Sequence, residues 1–190
     1  MLHVIGDGKL FAMMDFDLPL PKDKYVHQRN WSCINTGDTF LVAFYDRESW
    51  NGAPDRRILS TDAMLHAGAV PFQQRKTKYT GTITDGYGIA MHGSWIGSST
   101  KFGKFCIACR MSVVQHHGAI GSHCYIGEGA SIGQMSQIGD NVYVGKGSTV
   151  DDRIKICSGA YLMPGTILTH DIATPGIYGG TNGWLQKEIL

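Results

Sequence analysis

The chain has 190 residues, 43% hydrophobic and 17% charged, with 17 Lys and Arg against 16 Asp and Glu and a net charge of +1. That length buries a core in one domain, or in one domain and a small second, while a balanced charge with no basic run leaves no footprint for a nucleic acid. No apolar stretch nears the ~20 residues that span a bilayer, MLHVIGDGKLF lacks the basic-then-apolar order of a secretion signal, and five cysteines, an odd number, read as reduced thiols in a cytoplasm.

In chain order, the segment 1–75 predicts a small α/β unit. A strand is expected at Leu2–Ile5 and another at Phe40–Phe44, in the apolar run TFLVAF. Between them MDFDLPLPKDKYVHQRN is rich in turn formers and defines no element. A helix is expected over Ala53–Ala67, with Ser60, Thr61 and Asp62 as an internal start signal. Residues 71–88 read as a polar connector, and IAMHGS at 89–94 as a degenerate first repeat.

Glycine is in excess, 25 residues against six prolines, which points to a backbone turning repeatedly. Stepping by six from Ile96 meets Phe102, Ala108, Val114, Ile120, Ile126, Ile132, Ile138, Val144, Val150, Ile156, Leu162 and Leu168, thirteen apolar residues without interruption. The next residue is glycine in seven of the thirteen, and the fourth after is mostly small, as at Thr100, Cys106, Ser112, Cys124, Ser136 and Ser148. A period of six is neither the 3.6 of a helix nor an alternating strand. It predicts short strands of four or five residues separated by corners, three hexads to a coil, with glycine easing each turn. The fold class is mainly β: a parallel β-helix over 76–173, closed by a cap over 174–190 that leaves the period after Leu168.

With three hexads to a coil, counterparts stack about 4.8 Å apart. The corner residues then form columns. One reads Ser98, His116, Gln134, Asp152, His170; a second reads Lys104, Ser122, Asp140, Ser158; a third reads His92, Arg110, Glu128, Lys146, Pro164. Arg110, Glu128 and Lys146 alternate in sign and predict a solvated ion-pair ladder. His116 and His117 stand at an outward corner, where an imidazole can exchange a proton near neutral pH. A general base for acyl transfer and a solvated surface pair both fit those residue types. The chain turns at this corner, so the two side chains are expected to diverge.

SVVQHHGAIGSHCYIGEGASIG, residues 112–133, resembles the catalytic stretch of bacterial hexapeptide-repeat sugar acetyltransferases. These comprise the N-acetyltransferases of nucleotide-linked 4-amino-6-deoxysugars and the sialic acid O-acetyltransferases. HVIGDGKL at 3–10, TFLVAF and GIYGG at 176–180 resemble further features of that family, in the same order. The resemblance implies a left-handed β-helix behind a small Rossmann-like domain, and a homotrimer that holds acetyl-CoA along the solenoid between subunits. It implies His116 as the base that deprotonates a sugar amine or hydroxyl, attacking the thioester directly, with His117 where the family has an acidic neighbour. It implies an oxyanion-binding amide one coil further on, among Gly133, Gln134 and Ser136. It also implies a sugar-nucleotide loop at Gly6, Asp7 and Gly8, although Lys9, Leu10 and Phe11 replace the small residues expected next and no G-x-G-x-x-G results.

Other readings are weighed against this one. Zinc-binding solenoids such as the γ-class carbonic anhydrases need a third histidine two coils before a pair; His117 and His123 have Gly81 there. Cys106 and Cys109 form a lone C-x-x-C, with no second pair to complete a tetrahedral site. No metal is expected. A trimeric scaffold that has lost its catalytic acid is the non-enzymatic alternative, and O-acetylation of a sugar the enzymatic one.

Overall fold

The computed structural model describes residues 2–6, 25–28, 39–43, 70–71 and 89–188, with side chains from residue 90 onward. The chain divides into two compact units, residues 1–73 and 74–190.

In the first unit β1 (Leu2–Gly6), β2 (Tyr25–Gln28), β3 (Thr39–Ala43) and β4 (Val70–Pro71) form one parallel sheet in the order β2-β1-β3-β4. Leu2 stands opposite both Tyr25 and Thr39, and Gly6 opposite Ala43. The two expected strands are therefore present, with bounds that differ by a single position. β2 falls inside the segment whose turn formers concealed it. β4 ends in proline at the sheet edge, where a missing N–H costs no ladder bond. The helix expected over Ala53–Ala67 lies outside the described residues.

The second unit is a β-solenoid. Fourteen two-residue strands recur with a period of six, from Ile89–Ala90 to Ile167–Leu168. Each pairs in parallel with its counterpart one coil away, as Tyr125–Ile126 does with Ile107–Ala108 and Tyr143–Val144. Three sheet faces result. One runs through Ile126, one through Ile132 and one through Ile138. The strands are shorter than the sequence predicts, because each corner takes up the larger part of the hexad.

All thirteen residues of the period are buried, none more than 4% exposed. Each isoleucine or leucine so placed contributes about 1.5–3 kcal/mol of hydrophobic stabilisation. The small residue four positions later has a separate task. Thr100 Oγ1 donates to the Gln115 carbonyl at 2.6 Å and accepts from the Gly118 amide at 3.3 Å. Cys106 Sγ does the same with Gly121 O and Cys124 N. These side chains satisfy backbone groups where the chain leaves the ladder, and burying them without such partners would be costly. Cys106, Cys109 and Cys124 are all buried as thiols.

The glycine immediately after the period residue does not ease the turn as expected. At Gly97 and Gly133 the backbone stays outside the left-handed region, but an added Cβ would lie 2.5 Å from His116 N and from Asp151 C. Close approach of the neighbouring coil is what excludes a side chain there. The left-handed conformation sits two residues later, and eight such positions carry side chains, among them His117 at φ 58° and Met135 at φ 60°. A non-glycine residue costs about 1–2 kcal/mol there. The corner amides hold it in place: His117 N donates to Ser98 O at 3.0 Å, and Met135 N to His116 O at 3.1 Å.

The period ends as a shortened coil. Ile172 bridges to Ile156, and Tyr178 pairs with Leu162, each separation falling short of the three hexads that part all earlier partners. Strand Gly176–Gly179 then turns back into the antiparallel strand Trp184–Glu188. Tyr178 is 6% exposed and closes the core, with its hydroxyl donating to Thr174 O at 2.6 Å. Along one face Tyr125, Tyr143 and Tyr161 stack, with ring centroids 5.0 and 4.4 Å apart.

Candidate active site

The corner between the Ile132 and Ile138 faces brings His116 and His117 together. Their Nδ1 atoms are 2.9 Å apart and the rings meet edge to face, at 88°. The side chains therefore converge, against the expectation from sequence. The expected divergence takes a turning backbone to part successive side chains; this turn passes through a positive φ at His117, and the two rings meet instead. Only one of two facing Nδ1 atoms can donate. If His116 donates, its Nε2 is left unprotonated and able to accept a proton, with His117 acting as the acceptor that fixes the tautomer. In the resemblance an acidic neighbour stands at this position; here it is an imidazole.

Gly97 lies one coil earlier, against the His116 backbone. Gly97→Ala sets a Cβ against the backbone of the next coil and is expected to displace that corner, lowering both the thermal transition and any turnover that depends on the imidazole pair, the latter by about tenfold or more. Activity and melting measured on the same sample check both statements.

One coil further on, the residues from 133 to 136 part company. Gly133 N is in the ladder, donating to Val150 O at 2.8 Å, and Met135 N is held by His116 O. Ser136 is fully buried; its hydroxyl donates to Asp151 O at 3.1 Å and accepts from Ile154 N at 3.2 Å. Gln134 N faces out of the ladder and donates to Asp152 Oδ1 at 3.0 Å, while Gln134 Nε2 donates to Asp152 Oδ2 at 2.9 Å. A carboxylate oxygen thus occupies one of the amides among which the resemblance places the oxyanion donor. The arrangement recurs at the next corner, where Ser122 N donates to Asp140 Oδ1 at 2.7 Å and Asp140 N to Ser158 Oγ at 2.9 Å. Asp152 was visible beforehand as the only acid in its column, one coil after Gln134.

The remaining candidates are placed as follows. Gly6 is the last residue of β1, whereas Asp7 and Gly8 lie outside the described residues. Glu128 pairs with Lys146 at 3.2 Å, with the lysine side chain 72% exposed, so the bridge is worth about 0–1 kcal/mol. Among the described residues no group of three His, Cys, Asp or Glu is arranged to hold a metal ion, and no helix is long and apolar enough to cross a membrane. A shallow groove of about 530 Å³ runs along the Ile138 face past Ala119, Gly139, Lys155 and Cys157. Burial pushes the Cys157 thiol up, which keeps it protonated and disfavours it as a nucleophile.

No family model matches the chain, and no curated protein does. Solved structures match over nearly the whole chain. The acetyltransferase domain of PglB from Neisseria gonorrhoeae FA1090, in complex with acetyl coenzyme A, is 16% identical with a TM-score of 0.75 over 97% of this chain and 98% of that one. A GDP-perosamine N-acetyl transferase from Caulobacter crescentus, in complex with CoA and GDP-perosamine, is 14% identical with a TM-score of 0.73, covering 98% of this chain and 97% of that one. WeeI from Acinetobacter baumannii AYE is 16% identical with a TM-score of 0.71, covering 97% and 99%. At these identities the likeness is one of fold.

Proposed function

We propose that the chain is an acetyl-CoA-dependent sugar acetyltransferase, acting on the amino group of a nucleotide-linked amino sugar. The observation that carries this reading is the imidazole pair, 2.9 Å apart at an outward solenoid corner. His116 Nε2 takes a proton from the amine as its nitrogen attacks the thioester carbonyl. The C–N bond forms, the C–S bond breaks, and the proton passes to the departing thiolate, giving an N-acetyl sugar and CoA. Donating to His117 holds His116 in the required tautomer. Gln134 N stabilises the oxyanion once Asp152 gives way to it, while Gly133 and Ser136 fix that corner from within.

On this reading the solenoid winds left-handed and the parallel sheet of residues 2–71 is the core of a Rossmann-like acceptor domain. Its order reverses between β1 and β3, and ligands of open parallel sheets bind beyond the carboxyl ends of such strands. Gly6, Asp7 and Gly8 then hold the nucleotide through backbone amides. The protein works in the cytoplasm, needs no metal, and closes its donor site with a neighbouring copy. Sedimentation equilibrium is expected to give a trimer; a fully active monomer contradicts an intersubunit site.

A thiol-release assay tests the activity, run with acetyl-CoA against nucleotide-linked amino sugars and their hydroxyl counterparts. Release that depends on an amino sugar is the expected result. Release only with the hydroxyl sugars assigns O-acetylation, and CoA binding without turnover on any acceptor assigns a scaffold.

A further inference from the structure

His170 and Trp184 stand at the upper end of the corner column that contains His116. Their ring centroids are 6.2 Å apart with a tilt of 44°, and Trp184 is 65% exposed. A single exposed apolar residue needs no explanation by itself. The position of this one relative to the imidazole pair is what matters. From His116 the column climbs through Gln134 and Asp152 to His170, three coils at about 4.8 Å each, or roughly 14 Å. In coenzyme A, cysteamine, β-alanine and pantoate separate the sulfur from the diphosphate. That arm matches about four extended residues, roughly 13–14 Å. With the thioester at His116, the diphosphate reaches the level of His170, and the adenosine beyond it meets Trp184. In the opposite direction the described column holds only Ser98. The carboxylates in and beside the upper column, Asp151, Asp152 and Asp171, each accept a backbone amide, from Asp152 at 2.8 Å, Gln134 at 3.0 Å and Lys155 at 2.8 Å.

We infer that Trp184, flanked by His170, is the platform on which the adenine of the acyl donor stacks. The assignment rests on the acetyltransferase reading and adds to it the residue that selects a nucleotide-bearing donor. A flat purine on an indole face gains affinity without base-specific hydrogen bonds, and loss of such a stack weakens binding roughly 5- to 100-fold.

Steady-state kinetics with two donors tests it: acetyl-CoA, and acetyl-pantetheine, which keeps the thioester and the arm but has no adenosine. Trp184→Ala is expected to raise KM for acetyl-CoA by roughly 5- to 100-fold, leaving kcat and the KM for acetyl-pantetheine unchanged. Trp184→Phe retains a ring and is expected to recover most of the loss, which separates stacking from damage to the last strand. An equal shift with both donors, or no shift with either, overturns the platform. A wild-type protein that neither turns over either donor nor binds CoA in calorimetry overturns the acetyltransferase reading itself, and the platform with it.

Discussion

His116→Ala is expected to lower kcat by about 10²–10⁴-fold, the contribution of a positioned general base, with CoA affinity nearly unchanged. The imidazole pair makes the companion substitution informative. His117→Ala removes the acceptor that fixes the His116 tautomer but leaves the base, so a smaller loss of about tenfold is expected. His117→Glu supplies a carboxylate to the same Nδ1–H and is expected to retain most of the activity. Single-turnover rates on one acceptor, with CoA binding measured separately, check the series. If His117→Ala is the inactive protein and His116→Ala keeps its turnover, the roles are reversed.

Ile126→Asp is expected to abolish the cooperative fold of the solenoid. Ile126 is fully buried at the centre of the stack and pairs with both adjacent coils. A carboxylate there has no partner, and burying it unpaired costs several kcal/mol, a large part of the roughly 5–15 kcal/mol that holds a typical domain together. Ile126→Ala removes the same contacts without adding a charge and is expected to cost about 2–5 kcal/mol. Urea titration followed by circular dichroism distinguishes the two. A soluble Asp variant with a wild-type transition contradicts the inward placement of this residue.

Ile126 and its twelve counterparts were legible in the sequence because a solenoid writes its core as a period: every coil repeats the same environment, and a count of six finds it. The tail was legible only as a departure from that count. Its shortened final coil, through Ile172 and Tyr178, follows no period of its own. In the first unit TFLVAF announced β3 by its apolar run, while Val70–Pro71 is too short to offer any pattern. For the site, the column rule placed His116, Gln134 and Asp152 one above another. It could not supply the meeting of His116 with His117, which depends on a left-handed φ that residue type alone disfavours, nor the seating of Asp152 on the Gln134 amide, which is a choice of rotamer.

The fixed spacing of three hexads between stacked partners also sets the arithmetic of insertion and deletion. A residue lost between His116 and Gln134 would put every later period residue out of step with the core. A lost hexad would keep the core and rotate everything beyond it by one face, which carries Gln134 to a different edge from the histidines. Only the removal or addition of a whole coil leaves the faces in phase, and even that changes the height between His116 and His170. This part of the chain can therefore change length only in quanta, and on the acetyltransferase reading a donor of fixed length allows a single value of the quantum number.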